Sequence, residues 1–265
     1  MWRSVRQGTA PKAMQKRELA IQLYTLRNET AQDFPGTLRQ VADAGYSAVE
    51  FAGFGSHTAA DLRKVLDETG MVACGAHIGF NQLESRLDEV IEEIHTLGAQ
   101  NLACPSLPRE RRQTADDFRR AGEELSRFGE RCKASGLQLS YHNHDFEFAQ
   151  FDGKYGIDIL MEAADPDLLK LQPDLGWVAY AGVDPVSFLR RYSGRVPTVH
   201  FKDMIKEPTR YDVPTGEGIL PIPELIAAGR EAGTQWFIVE LDQPKEPPID
   251  CARRSAQYLI NQGVR

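Results

Sequence analysis

The chain has 265 residues, 42% hydrophobic and 26% charged. That is the balance of a soluble globular protein with a full-sized core, and it excludes a disordered chain, a fibrous repeat and a disulfide-stapled miniprotein. The 38 acidic and 31 basic residues leave a net charge of −7, so the basic footprint of a nucleic-acid-binding protein is missing.

Four cysteines without CxxC spacing, Cys74, Cys104, Cys132 and Cys251, read as reduced thiols and not as a disulfide frame or zinc knuckle. No apolar run reaches the roughly 18 residues of a membrane span. Residues 1–18 carry Arg3, Arg6, Lys12, Lys16 and Arg17 but lack the apolar stretch of a signal peptide. They are expected to be a flexible extension before a single domain at 19–265, in a cytoplasmic protein.

From Leu19 onward, short apolar runs alternate with amphipathic stretches. The runs are LAIQLY at Leu19, AVEFAG at Ala48, VACGAHIG at Val72, NLACPS at Asn101, LQLSYHNH at Leu137, LKLQPDLG at Leu169, TVHFKD at Thr198 and WFIVELD at Trp236. Successive starts are 24 to 38 residues apart, enough for a strand, a helix and two loops. The segments between have helical spacing: Leu38, Val41 and Ala42 before Gly45; Leu62, Val65 and Leu66 before Gly70; Phe118, Leu125 and Phe128 before Gly136. Eight alternations predict a single closed (β/α)8 barrel, an α/β fold. An open doubly wound sheet is disfavoured, since LYTLRNET replaces the Gly-rich loop expected after its first strand.

In such a barrel, reactive groups sit at the carboxyl ends of the strands. Here those ends carry Glu50, His77, His142 with His144, Asp174, His200 with Lys202, and Glu240 with Asp242. Charged groups beside apolar layers are costly unless paired or bound to a metal. Imidazole plus carboxylate suits Mn²⁺, Zn²⁺, Co²⁺ or Fe²⁺, with Mg²⁺ less favoured by nitrogen.

These motifs, taken in order, resemble the xylose-isomerase-like barrel superfamily of sugar phosphate isomerases and epimerases. IQLYTLRN, AGYSAVEF, YHNHDFEF, PDLGW, VHFKD, the GEG at 216–218 and IVELD carry the resemblance from Leu19 to the C-terminus. It implies one divalent metal held by Glu, Asp, His and Glu at the ends of strands five to eight. Asp174, His200 and Glu240 match the last three. Where many members read Glu-Asn-His, this chain has His142-Asn143-His144. Strand five therefore supplies either His142, at the strand position, or Glu147, folding back from the loop.

The resemblance implies a metal-dependent isomerase or epimerase acting on a small-molecule keto sugar or polyol, with Glu240 and His142 or Glu147 as catalytic groups. The family's epimerases use two metal-bound glutamates, and only Glu240 has a matching carboxylate here. That departure keeps a keto-inositol dehydratase or lyase on the same metal site as the alternative, with His142 or His144 as acid. A non-catalytic sugar-binding barrel and an abasic-site endonuclease are the remaining readings. Lys202, two residues beyond His200, faces the same side of its strand and is expected to bind a hydroxyl or oxyanion, unless it pairs with Asp203 or Glu240. Glu50, His77, His144 and Trp177 are candidate substrate contacts. Neither nucleic acid nor membrane is expected as a partner, and a homo-oligomer is compatible with the sequence.

Overall fold

The computed structural model describes residues 17–265. All eight apolar runs are strands: β1 (Leu19–Gln22), β2 (Ala48–Phe51), β3 (Val72–His77), β4 (Asn101–Cys104), β5 (Gln138–His142), β6 (Leu169–Gln172), β7 (Thr198–Phe201) and β8 (Trp236–Val239). They pair in parallel in the order β6-β5-β4-β3-β2-β1-β8-β7. The ring is joined between β6 and β7 by the bridge Asp174–His200, where His200 N–H donates to the Pro173 carbonyl at 2.9 Å. This is the (β/α)8 barrel, with crossover helices α1 (Phe34–Asp43), α2 (Ala59–Thr69), α3 (Phe80–Leu97), α4 (Ala115–Ala134), α5 (Gly156–Ala163), α6 (Pro185–Arg191), α7 (Ile222–Glu231) and α8 (Pro248–Asn261).

The expected extension falls largely on residues 1–16, outside the described residues. Its last residue, Glu18, is built into the barrel's base. Its carbonyl accepts from Phe237 N–H at 2.7 Å and its carboxylate meets Arg230 at 3.0 Å. Among the described residues no helix is long and apolar enough to cross a membrane.

Local signals explain the helices. Thr58 and Thr114 cap α2 and α4, each in a reciprocal box with an aspartate three residues on, which satisfies amides that a helix start leaves free. Of the residues expected to face inward, Leu38, Val41, Leu62, Val65, Leu66, Phe118 and Leu125 are buried between helices and barrel, while Ala42 and Phe128 are half-buried against the same core. A smaller cluster, Ala20, Ala48, Cys74 and Ile238, fills the barrel's interior. Its small side chains suit a narrow interior, because successive strand residues alternate between the two sides.

That alternation carries the polar positions inward two residues later along three of these strands: Gln22, Glu50 and Glu240 follow Ala20, Ala48 and Ile238. On β3 it is interrupted. Val49 pairs with Ala73 but Glu50 with Gly75, so the register shifts by one residue at Cys74. Strict alternation from Cys74 would turn Ala76 inward and His77 outward. The bulge reverses the phase, and His77 Nε2 lies 3.2 Å from Glu50.

Candidate active site

His142, Asp174, His200 and Glu240 converge at the carboxyl ends of β5 to β8. Each offers a donor atom within 4.8 Å of the others, and none is more than 4% exposed. His200 is the hub. Its Nε2 meets Glu50 Oε2 at 2.7 Å and its Nδ1 meets Glu240 Oε2 at 2.8 Å. Burial works against charge on this imidazole, but the two flanking carboxylates prevail and lift it to about 10.

Glu50, expected as a substrate contact, is taken up beneath this cluster. Gln22 Nε2 and Gln172 Nε2 donate to its two oxygens at 2.7 and 2.6 Å. Burial alone would raise its pKa, yet His77 and His200 hold the carboxyl well below the usual range. It meets one imidazole nitrogen of His200, while the other nitrogen faces Glu240. The amides of Gln22 and Gln172 were not singled out in the sequence because neutral strand-end residues leave no charge signal.

The donor set fits a divalent cation. Asp174 Oδ2 is buried and makes no hydrogen bond, although the Lys202 ammonium lies 3.1 Å away, and His142 Nδ1 is buried without a partner. Two imidazoles and two carboxylates buried within 4.8 Å of one another are a borderline-hard donor set that suits a divalent ion. Burial and the neighbouring His200 keep His142 well below its ordinary pKa and so a neutral donor, whereas His200 has to give up the proton it shares with Glu240 before it can bind a metal. Burial pushes Asp174 up to about 6 against the opposing pull of Lys202. Glu240 remains well below the normal range because Lys202 and His200 outweigh its burial.

Glu147 does not join the set. Tyr141 faces away from His142 on β5, and its hydroxyl donates to Glu147 Oε1 at 2.5 Å; the His144 amide donates to Oε2 at 2.8 Å. Both oxygens are engaged behind the strand, so His142, not Glu147, is the strand-five group in the cluster.

Burial raises the Glu147 carboxyl to about 7. Because that exceeds the unfolded value, the native state holds the extra proton. The associated stability is complete below about pH 4.5 and is lost as pH rises through 7. Glu147→Gln is expected to flatten this loss and to be more stable than the parent at pH 8, by about 1–3 kcal/mol, in urea titrations at pH 5 and 8. Equal pH slopes in the two proteins would refute it.

A cavity of about 810 Å³ opens above the cluster. His77, His142, His144, Glu240 and Asp242 line its inner part, with Tyr24 and Phe54 farther out. Among the described residues the side-chain hydrogen bond and ion pairs of Glu240 run through Oε2, and the residue lines the cavity with Oε1 outside those pairs. His144 is stacked on Phe146, 5.2 Å between centroids and 9° between planes. Burial, then Lys202, lowers it to about 3, so it is neutral at pH 7.

Trp177 and Lys202 stand behind this lining. The Trp177 ring lies 5.8 Å from His144, and Arg210 covers it at 4.0 Å. Lys202 is 1% exposed and pairs with Asp174, Glu240 and Asp242. The expected pairing with Glu240 is present. Asp203 instead turns away to accept amides of the following loop, from Met204, Gly216, Gly218 and Leu220 at 2.9–3.1 Å. No sequence pattern marked this clamp, which joins residues up to 17 positions apart. Gly176 lets the helix Leu175–Tyr180 press on β7, since a Cβ there would lie 2.0 Å from the Lys202 carbonyl oxygen.

Comparison with known proteins gives a consistent picture. An inosose dehydratase from Geobacillus kaustophilus is 31% identical over 265 residues, covering 84% of this chain and 85% of that one. An inosose dehydratase from Lacticaseibacillus casei is 30% identical over 166 residues, with 55% of each chain covered, so this match spans about half that relative's length. The crystal structure of a sugar phosphate isomerase/epimerase from Parabacteroides distasonis superposes with a TM-score of 0.80 at 26% identity, covering 95% of this chain and 96% of that one. Residues 38–262 match the family described as xylose isomerase-like TIM barrel. With eight parallel strands, their crossover helices and ligand-type side chains gathered at the carboxyl ends, the chain belongs to the xylose isomerase-like TIM barrel family.

Proposed function

We propose that this chain is a metal-dependent dehydratase that removes water from a cyclic keto-polyol, with His142, Asp174, His200 and Glu240 as metal ligands. The observation that carries the reading is at strand five. An imidazole occupies the ligand position, and the nearby carboxylate of Glu147 is engaged by Tyr141 and the His144 amide. Two-base epimerisation of the family's kind calls for a metal-site glutamate on each face of the substrate, and strand five brings none into the donor set opposite Glu240. Elimination needs only one. The relatives named inosose dehydratase support the same choice over isomerase or epimerase.

The bound divalent ion would polarise the ketone and stabilise charge developing on its oxygen. Glu240 Oε1, outside the ion pairs, takes the proton from the carbon next to the ketone. The electron pair of that C–H bond becomes the new C=C bond as the neighbouring C–OH bond breaks. The proton then passes from Glu240 to the departing hydroxide, which leaves as water. His144, neutral and fixed by Phe146, holds a ring hydroxyl.

The test is a chelator-dialysed protein reloaded with Mn²⁺, Zn²⁺, Co²⁺ or Mg²⁺ and given a keto-inositol. The expected outcome is an unsaturated ketone absorbing in the near ultraviolet, formed only with metal. Solvent deuterium in an epimerised ketose without that product would restore the epimerase reading. Bound metal with neither reaction would favour a sugar-binding barrel.

A further inference from the structure

The Lys202 ammonium sits on the same oxygens that the donor set offers to a metal. It lies 3.1 Å from Asp174 Oδ2 and 3.2 Å from Glu240 Oε2. A divalent ion held by those carboxylates would stand roughly 2 Å from the same atoms. Ammonium and metal would then be like charges in a buried site, where repulsion is poorly screened. Among the described residues, one further carboxylate contacts Lys202. Asp242 Oδ2 lies 2.8 Å from its Nζ, is not part of the donor set, and belongs to a residue lining the cavity. The backbone holds Asp242 in place, its N–H donating to Asp212 and its carbonyl accepting from Arg27 at 2.8 Å.

We propose that Lys202 is an internal competitor for the metal, and that Asp242 receives its ammonium when the divalent ion takes Asp174 and Glu240. The exchange leaves no buried carboxylate uncompensated in either state. It also moves a positive charge towards the cavity wall only once the metal is in place, where it can meet substrate oxygens. This rests on the metal site proposed above but not on the dehydration chemistry.

The flanking charges are Asp174, Glu240 and Asp242, with the Trp177 ring at 5.3 Å and Arg210 4.0 Å from Asp242. All three carboxylates lie within 3.2 Å of the ammonium, so the competitor is held as an ion pair on the same oxygens a metal would use.

The experiment is a double-mutant cycle read as Kd for Mn²⁺ and Zn²⁺, by competition with a chromophoric chelator. Lys202→Met is expected to tighten binding about tenfold or more, because a buried like charge is removed. Asp242→Asn is expected to loosen it about tenfold, because the ammonium loses its second partner. In the Lys202→Met background, Asp242→Asn should change Kd by less than about threefold. Equal loosening in both backgrounds would mean that Asp242 acts only through its field, which overturns the exchange. Weaker metal binding in Lys202→Met would also overturn it, since the lysine would then be a support for the ligands. Lys202→Gln provides the same comparison if the methionine variant does not fold. A parent chain that binds neither metal removes the site itself. A parent that binds, with an additive cycle, removes only the exchange.

Discussion

Glu240→Gln is expected to lower turnover of a keto-inositol by about a thousandfold at saturating metal, the usual scale for removing a positioned general base. Two effects have to be separated, because Glu240 is proposed both as a ligand and as the base. The amide keeps an oxygen but loses the negative charge, so metal affinity falls as well. Titrating the variant with Mn²⁺ to full occupancy distinguishes the two. If the base role is right, metal content recovers and turnover does not. Recovery of both would make Glu240 a ligand alone and move the base to His144, which also lines the cavity. A substrate deuterated next to the ketone adds a second measure. The parent should show a primary isotope effect on formation of the unsaturated product, and its absence would place the slow step elsewhere.

The barrel was legible because its strands are buried on both faces. A run such as WFIV is therefore apolar throughout, and the change to helical spacing between runs is sharp. His142, Asp174, His200 and Glu240 could be read for a related reason. They lie just at or past the end of an apolar run, on the inward phase of a two-residue alternation. What could not be read depends on departures from that regularity or on distant partners. His77 faces inward only because a bulge at Cys74 resets the phase of β3. The choice between His142 and Glu147 turned on Tyr141, whose outward-facing hydroxyl takes up the carboxylate. Gln22 and Gln172 bracket Glu50 from strands 150 residues apart in sequence. Lys202 was legible as a cation beside Glu240, but its third partner, Asp242, is settled only by how β7 and β8 pack.

Asp203→Ala is expected to cost about 3 kcal/mol of stability and to weaken substrate binding as well, although Asp203 touches no part of the cavity lining. Its side chain is 1% exposed, and its two oxygens accept four backbone amides. Burial pushes the carboxyl upward, and those four donors oppose the shift. Alanine would strand the amides of Met204 and Leu220 inside the fold and leave those of Gly216 and Gly218 to partial solvation. Each unmet buried donor costs about 1–3 kcal/mol. The loop so released begins directly after Lys202, so its disorder should loosen the lysine that flanks Asp174 and Glu240. Gly218→Ala tests the same clamp from the other side, since a Cβ there would fall 2.2 Å from Asp203 Oδ1. Both variants should show a lower urea midpoint and a raised KM, with kcat at saturating substrate changed less. A normal midpoint in Asp203→Ala would show that the loop is held by its other contacts, such as the Val213 amide on the Asp203 carbonyl at 3.0 Å, and that the carboxylate is not its anchor.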